Sequence, residues 1–172
     1  MTPEERSKED SDYYIRPACL NDSSALIALI DSVYREYGDR ICLENYDADL
    51  LEVPKPYVDQ GGMIVVACER DGTIAGVHAA IPLDKPANVF TFRRLYVAPQ
   101  YRGKTPVPKM LMHWAIDYAR SHGAERIEFW SDTRFERAHC FFQKFGFKTT
   151  GERRECDDSW EPYWEYFFFL DL

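Results

Sequence analysis

The sequence lacks several features that mark particular classes of protein. It has no run of about 18 apolar residues, so it holds no candidate transmembrane helix. Its five cysteines stand singly, without a CxxC pair, which argues against a disulfide framework or a cysteine zinc site and favours reduced thiols in a cytoplasm. A basic excess is also missing: the net charge of −8 disfavours nucleic acid and anionic membranes as partners and weakly favours a cationic substrate.

What the sequence does contain is enough apolar material for one globular domain. Of the 172 residues, 45% are hydrophobic and 15% are aromatic, and a chain of this length buries most of the surface of its unfolded state. Residues 1–12 are polar and mainly acidic, so we expect a flexible acidic leader there rather than a secretory signal. The predicted domain therefore spans residues 13–172.

Apolar patterns along the chain predict one mixed α/β domain. Turn and breaker residues such as Gly38, Gly72 and Gly123 separate its elements. The predicted strands are 13–18, 63–68, 74–81, 88–97, 126–130, one that follows Gly146, and 163–170. The predicted helices are one between Ser24 and Gly38, a weaker one over 41–53, and those at 108–122 and 133–145.

The turn between the strand at 88–97 and the helix at 108–122 is the main candidate for phosphate binding. It reads Gln100-Tyr101-Arg102-Gly103-Lys104-Thr105. Backbone N–H groups at a helix start lack intrahelical partners, and the helix dipole favours an anion there. Arg102 and Lys104 add positive charge in an otherwise acidic chain. The pattern therefore predicts an anion site at this turn.

One interpretation of the turn is a P-loop. The pattern Ala98-x-x-x-x-Gly103-Lys104-Thr105 nearly matches the motif in which a lysine reaches nucleotide phosphates and a hydroxyl contacts magnesium. Ala98 replaces the first glycine of that motif, however, and Pro99 stiffens a loop that must wrap the phosphates. A nucleoside-triphosphatase is therefore the less favoured interpretation.

The other interpretation uses several motifs that occur in a fixed order. These are Arg94-Leu95-Tyr96-Val97-Ala98-Pro99-Gln100-Tyr101-Arg102-Gly103-Lys104, the helix end at His122-Gly123-Ala124, the strand after it, and Ala138-x-x-Phe141-Phe142-x-x-x-Gly146-Phe147. Over about residues 88–150 they resemble the GNAT superfamily of acyl-CoA-dependent N-acyltransferases. The resemblance implies a central mixed sheet of about six to seven strands, flanked by helices and splayed between residues 90–97 and 126–131.

The resemblance also implies where acetyl-CoA binds as a co-substrate, with no metal. Backbone groups of residues 95–97 would pair with the pantetheine, the turn would hold the pyrophosphate, and the helix at 133–145 would line the thioester end. The implied binding residues are Leu95, Tyr96, Val97, Gln100, Tyr101, Arg102, Gly103, Lys104, Thr105, Val107, Phe135, Ala138 and Phe142.

The turn departs from the pattern of this family. Thr105 stands where Gly or Ala is usual, Val107 replaces a customary glycine, and Pro106 and Pro108 flank it. Each proline removes an N–H group that a pyrophosphate would use. Two lost donors, at roughly 0.5–1.5 kcal/mol each, predict weakened CoA binding, which the hydroxyl of Thr105 would partly offset.

The catalytic positions depart as well. Phe142 occupies the position of the tyrosine that often protonates the leaving thiolate, and Thr91 is nearest to the usual glutamate base. His78, Tyr96 and Ser131 are the replacement candidates. Asp132 and the three other histidines, His113, His122 and His139, are not better supported, and Cys140 is expected to be buried and inert.

The favoured function is an N-acetyltransferase that moves an acetyl group from acetyl-CoA to a primary amine of a small molecule or peptide by direct attack. The alternative is a degenerate domain of the same fold that binds acyl-CoA or a protein partner without turnover. It is motivated by Thr105, Val107 and Phe142. The aromatic segment 160–164 is a candidate contact of a homodimer or part of the acceptor pocket.

Overall fold

A computed structural model of the chain describes residues 12–172. The predicted acidic leader therefore lies outside the described residues except for Asp12. Seven strands form one sheet in the order β1-β2-β3-β4-β5-β7-β6, so the predicted mixed α/β fold is confirmed. Their bounds are β1 Tyr13–Pro17, β2 Met63–Glu69, β3 Ile74–Pro82, β4 Val89–Val97, β5 Arg126–Asp132, β6 Lys148–Cys156 and β7 Tyr163–Asp171.

Four α-helices accompany the sheet within residues 12–172. They are α1 Ser23–Arg35, α2 Lys55–Val58, α3 Val107–Ser121 and α4 Glu136–Lys144. No helix in this part of the chain has the length and apolarity needed to cross a bilayer. The amphipathic patterns of α1 and α3 are confirmed, because their apolar residues form the buried faces.

The helix predicted over 41–53 is wrong. The chain there forms turns and then a short 3₁₀ helix at Ala48–Glu52, and α2 begins only after Pro54. The buried carboxylate of Asp47 accepts the backbone N–H of Cys42 at 2.8 Å. Such side-chain bonds to the backbone compete with helical hydrogen bonds, which explains why the apolar pattern fails at this place.

The helix predicted over 133–145 begins later than expected. Asp132 Oδ1 accepts the backbone N–H of Arg134 at 2.9 Å, so the chain makes a turn before α4 starts at Glu136. Phe135 is the residue before the helix, and its side chain makes no capping hydrogen bond. The turn carries Phe135 toward Tyr37 after α1, with ring centroids 4.9 Å apart.

The continuous apolar runs of β2 and β3 follow from burial on both faces of the sheet. Nearly every residue of the two strands is buried, and side chains of successive residues in a strand point to opposite faces. Both α1 and α3 pack against β3. β1 and β6 form the edges of the sheet, and Pro17 lies in an edge strand as expected.

The splayed pair predicted by the resemblance is β4 and β5, the only parallel neighbours in the sheet. They pair at Val89 with Arg126 and at Phe90 with Ile127, and nowhere beyond. A bulge distorts β4 against β3 on its other side, where the register shifts between Val77 and Ala79. The sheet is therefore open between β4 and β5 for the remainder of both strands.

Candidate active site

The opening between β4 and β5 leads into a cavity of about 580 Å³. Its walls come from β4, β5, α4, the facing ends of β6 and β7, and the segment 34–46. Val97 and the turn 100–107 lie outside the cavity lining, near the start of α3. The predicted site residues that the fold brings to the cavity are His78, Leu95, Tyr96, Ser131, Phe135, Ala138 and Phe142.

Arg94 anchors one wall of this cavity. It is the only non-glycine residue among 12–172 with a positive φ, 61°, and its side chain is 6% exposed. The guanidinium donates to Asp47 Oδ1 at 2.6 Å and to the carbonyl of Tyr46 at 3.0 Å, and it pairs with Asp49. The hydroxyl of Tyr34 lies 3.3 Å from it. One side chain therefore ties β4 to the segment before α2.

The charge of Arg94 is retained in spite of its burial. Desolvation alone lowers the pKa of the guanidinium, but the oxygens of Tyr57, Tyr34 and Asp49 raise it well above its ordinary value. Asp47 is 0% exposed, so its carboxylate depends on this partner for compensation. A buried ion pair of this kind is most costly when one member is removed.

Tyr96 lines the cavity with its ring beside those of Tyr34 and Phe135, at centroid distances of 5.7 and 6.3 Å. Its hydroxyl lies 3.3 Å from the hydroxyl of Tyr34. Burial raises the pKa of Tyr96 to about 12. A phenol with such a pKa keeps its proton near neutral pH, so Tyr96 cannot serve there as a base.

Arg102 does not present a free charge at the turn, contrary to the sequence-based expectation. Its two terminal nitrogens donate to Glu36 at 2.9 and 2.8 Å, and its Nε donates to the carbonyl of Val97 at 2.9 Å. A bidentate pair with a carboxylate holds the guanidinium in a fixed plane. Arg102 thus braces the turn against the end of α1, and it bonds the carbonyl of Val97, one of the residues whose backbone groups the resemblance assigned to pantetheine.

The turn nevertheless keeps several free donors. The backbone N–H groups of Gly103, Lys104 and Thr105 have no hydrogen-bond partner among the described residues, and Gly103 adopts the left-handed conformation with φ 71°. The Lys104 side chain is exposed. Gln100 is exposed too, whereas Tyr101 is buried and packs edge-on against Tyr13. The unpartnered N–H donors of the turn are therefore those of residues 103–105.

Thr105 does not replace the donors that the two prolines remove. Its hydroxyl donates to the carbonyl of Tyr101 at 2.6 Å and accepts the N–H of Val107 at 3.3 Å. α3 begins at Val107 with Pro106 as its N-cap residue and Pro108 in its first turn. The expected compensation by Thr105 is therefore wrong, because its hydrogen is already used within the turn.

Phe142 lies at the inner end of the cavity within an aromatic cluster. Its side chain is buried, and its ring packs edge-to-face on Phe129 and Phe168, at 4.8 and 5.5 Å. Ala138 lies one turn earlier on α4, and both line the cavity. The position implied for a proton donor thus offers only a hydrocarbon surface.

His78 is fully buried at the bulge between β3 and β4. Its Nδ1 lies 3.2 Å from the carbonyl of Arg93, while its Nε2 has no hydrogen-bond partner among the described residues. The ring packs on Phe92 at 4.7 Å. Burial lowers the pKa of His78 to about 4, so the imidazole is neutral near pH 7 and a poor acceptor of protons.

Ser131 and His139 form a pair beside Phe142. Ser131 Oγ lies 3.1 Å from His139 Nε2; Ser131 lines the cavity and both side chains are half-buried. Burial lowers the pKa of His139 below its ordinary value. His113 on α3 and His122 directly after α3 are exposed and lie outside the cavity lining.

Cys140 corrects a sequence-based expectation. It is exposed on α4 rather than buried, because the apolar face of this short helix is formed by Ala138, Phe141, Phe142 and Phe145. The cysteine does not line the cavity either. The position that seemed part of an apolar helix therefore faces solvent.

Paired charges that the sequence did not single out line the outer part of the cavity. Arg154 donates to Glu165 Oε1 at 2.8 Å, and Cys156 Sγ lies 3.2 Å from the same oxygen. The hydroxyl of Tyr163 donates to Asp158 at 2.7 Å. These residues belong to β6, β7 and their connection, which carry no motif, so the sequence offered no signal for them.

Asp132, the remaining sequence candidate, is bound to an arginine. Its carboxylate accepts from Arg134 at 2.7 Å, and Arg134 also donates to Asp39 at 2.8 Å. The pair links the end of β5 to the segment after α1. Asp132 thus contributes to the shape of the cavity more than to an available base.

Comparison with known proteins agrees with this architecture. The model of the acetyltransferase (GNAT) family matches residues 25–147, from α1 to the turn before β6. The chain belongs to the GNAT family of acetyltransferases. Within residues 12–172, no group of three His, Cys, Asp or Glu side chains is arranged to hold a metal ion.

Several relatives of this GNAT protein have names that describe them only by activity. The chain is 28% identical to an uncharacterized N-acetyltransferase of Schizosaccharomyces pombe over 122 residues, covering 71% of the chain and 74% of that protein. It is 25% identical to human N-acetyltransferase 8 over 136 residues, covering 77% of the chain but 57% of that protein. The chain thus corresponds to just over half of the human relative.

Solved structures match the GNAT fold over nearly the whole chain. A GNAT acetyltransferase of Staphylococcus aureus superposes with a TM-score of 0.80 at 20% identity, covering 93% of this chain and 99% of the other. A putative acetyltransferase of Salmonella typhimurium, solved with its cofactor acetyl-CoA, superposes with a TM-score of 0.70 at 17% identity, covering 94% of each chain. At these identities the likeness establishes the fold.

The buried charge of Arg94 leads to a first prediction. Arg94→Met leaves Asp47 buried without its partner, so we expect a loss of about 3–5 kcal/mol in the free energy of unfolding, measured by urea denaturation. Arg93→Met is the matched control, because this neighbouring arginine is exposed and should change stability by less than about 0.5 kcal/mol. Equal losses in the two variants would contradict the anchoring role.

The burial of His78 leads to a second prediction. The unfolded chain protonates this histidine near pH 6.5, but in the folded protein burial lowers its pKa to about 4. Acid therefore favours the unfolded state, in which His78 takes up a proton more readily. The contribution of His78 to the free energy of unfolding falls as the pH drops from 7 to 5. We expect this acid destabilisation to be about 2 kcal/mol larger in the wild type than in His78→Gln, measured by urea denaturation at both pH values. Identical pH dependence in the two proteins would show that His78 titrates normally.

Proposed function

We propose that this GNAT protein is an N-acetyltransferase that transfers an acetyl group from acetyl-CoA to a primary amine of a small molecule or peptide. The observation that supports it most is the opening between β4 and β5. Beyond Phe90 the edge of β4 that faces β5 has no strand partner, and backbone groups left without a ladder partner are available to an amide-containing chain such as pantetheine. The opening ends in a cavity with room for a thioester and an acceptor.

The binding of acetyl-CoA would divide between two places. The free N–H groups of residues 103–105 and the Lys104 ammonium would hold the pyrophosphate, at the start of α3 where the helix dipole favours an anion. The β4 edge at Leu95 and Tyr96 would pair with the pantetheine. Phe135, Ala138 and Phe142 would contact the acetyl end through their apolar surfaces. Arg102 would support the turn indirectly through Glu36.

The reaction that suits this arrangement is direct attack in a ternary complex. The acceptor would enter at the outer end of the cavity, between the segment 34–46 and the hairpin of β6 and β7. The fixed positions of the two reactants would supply much of the rate enhancement. Residues 13–172 would form the acyltransferase domain, and the cytoplasmic location and the homodimer stay predictions.

A degenerate GNAT domain without turnover is the second candidate. Phe142 provides no hydroxyl at the position implied for the acid, and the Arg102 side chain is paired with Glu36 inside the protein.

Calorimetry with acetyl-CoA, CoA and magnesium–ATP shows which of these ligands the protein binds. Thiol release from acetyl-CoA with spermidine, tyramine, free amino acids and short peptides then separates an enzyme from a binding domain. Tight magnesium–ATP binding without CoA binding would contradict the proposal.

The turn leads to a third prediction. Lys104→Ala should weaken the binding of CoA by about tenfold or more, because a hydrogen bond to a charged group contributes roughly 1.5–3 kcal/mol. Calorimetry with CoA and with 3′-dephospho-CoA should show the same factor for both ligands if the lysine contacts the pyrophosphate. Lys148→Ala, at an exposed position of β6, is the control and should bind as the wild type does. A loss confined to CoA would instead place Lys104 at the 3′-phosphate.

A further inference from the structure

Transfer of an acetyl group from a thioester to an amine requires one proton to move. The nitrogen carries an excess proton once the C–N bond has formed, and the sulfur needs a proton as the C–S bond breaks. Phe142 has no group that could carry it. His78 Nδ1 accepts the backbone N–H of Ala79 and lies against the carbonyl of Arg93, and no hydroxyl among the described residues is bonded to its Nε2. A proton carrier must therefore come from another part of the cavity.

Most polar groups of the lining are already engaged. The carboxylates of Asp132 and Glu165 accept from Arg134 and Arg154. The hydroxyl of Tyr96 is paired with that of Tyr34, which itself donates to Asp47, so the neighbour of Tyr96 is a hydroxyl and not a nitrogen that could take up its proton. An ion-paired carboxylate is a weak base, because protonation would leave the arginine uncompensated.

Ser131 is different because its hydroxyl faces a neutral histidine. Oγ lies 3.1 Å from His139 Nε2, a nitrogen that can accept the hydroxyl proton when the imidazole is neutral. Burial lowers the pKa of His139 and so favours that neutral form. A hydroxyl beside such a nitrogen can pass one proton in either direction. It is the arrangement that a relay needs, and no arginine or lysine is bonded to either group in residues 12–172.

The place of this pair in the sheet also fits. Val89 pairs with Arg126 and Phe90 with Ile127, so the same register carried on by four residues would set Arg94 opposite Ser131. The strands have diverged there, and the cavity lies between them. Ser131 thus faces the bulged part of β4 across the opening. His139 lies one turn before Phe142 on α4, with ring centroids 6.2 Å apart.

We propose that the hydroxyl of Ser131 is the catalytic proton carrier of this acyltransferase, with His139 as the residue that positions it and stores the proton. As the amine nitrogen bonds to the acetyl carbon, its excess proton passes to Ser131 Oγ while the Ser131 proton passes to His139 Nε2. As the C–S bond breaks, its electron pair stays on sulfur, and the proton returns from His139 through Ser131 to that sulfur. The enzyme ends as it began, with one C–N bond formed and one C–S bond broken.

One hydroxyl suffices for both transfers because nitrogen and sulfur are then bonded to the same carbon. The shuttle also explains how the chain can do without a separate base and acid, at the positions of Thr91 and Phe142. The inference rests on the proposed acetyl transfer, since it places the thioester in this cavity.

The kinetic test uses single and double variants. With the amine that gives the fastest thiol release in the panel, Ser131→Ala and His139→Gln should each lower kcat by about 100-fold or more, with little change in the affinity for acetyl-CoA. The kcat of the double variant should equal that of the slower single variant, because the two residues act as a unit. His122→Gln, an exposed histidine outside the cavity, should keep the wild-type kcat. Wild-type turnover in Ser131→Ala overturns the shuttle but leaves acetyl transfer intact.

An equilibrium test does not depend on the acceptor. Histidine NMR titrations of the protein with CoA and with desulfo-CoA report whether the sulfur reaches this pair. The charged and titratable groups that face His139 are Asp132 at the end of β5, Glu136 on α4 and Tyr166 on β7, and they are common to both complexes. CoA, but not desulfo-CoA, should raise the pKa of His139, and Ser131→Ala should abolish the difference.

Each outcome of this titration decides something. Identical curves with the two ligands overturn the shuttle even if the protein is an active acetyltransferase. A difference between the two curves supports the shuttle even if no amine of the panel is acetylated. The absence of acetylation would count only against the proposed acetyl transfer. No binding of either ligand at millimolar concentration overturns both proposals.

Discussion

The cavity of this GNAT protein depends on one buried guanidinium. Arg94 holds a left-handed backbone conformation at the bulge of β4, where a non-glycine residue is strained. Its guanidinium donates to the segment before α2 and to the hydroxyl of Tyr34 on α1. The carbonyl of Tyr46 accepts from Arg94, and the N–H of Tyr46 donates to Asp158 in the connection between β6 and β7. These bonds join three walls of the cavity, and the ion pairs of Arg94 with Asp47 and Asp49 hold the bulge of β4 in position.

Arginine side chains that pair with carboxylates inside the protein also shape the turn before α3. Arg102 is likewise used to brace the turn before α3 against Glu36, so the binding of pyrophosphate that we propose there would rely on backbone N–H groups and on Lys104. The turn would need little reorganisation to bind an anion, because the left-handed conformation of Gly103 already places these donors in a tight turn. The turn is therefore a different solution from a cluster of free arginines, and it suits a ligand whose charge is spread over two phosphates.

The sequence was informative where a property repeats along the chain, and silent where two distant residues meet. The continuous apolar runs of β2 and β3 and the stripes of α1 and α3 predicted these elements, because burial imposes a period. Asp47 escaped notice and broke the helix predicted over 41–53, since one carboxylate bonded to a backbone N–H has no periodic signature. The contacts of Arg94 with Asp47, and of Arg102 with Glu36, join residues far apart in sequence. Only the fold could reveal them.

The same pairing bears on the acceptor. The net charge of −8 suggested attraction of cations, but four of the five carboxylates that line the cavity are bound to arginine or lysine side chains: Asp39, Glu128, Asp132 and Glu165. The fifth, Asp158, accepts from Tyr163. An amine attacks a thioester only in its neutral form, and a free carboxylate beside it would stabilise the ammonium form instead. A lining whose charges are already compensated therefore leaves the amine free to lose its proton, which is the state that a shuttle through Ser131 requires.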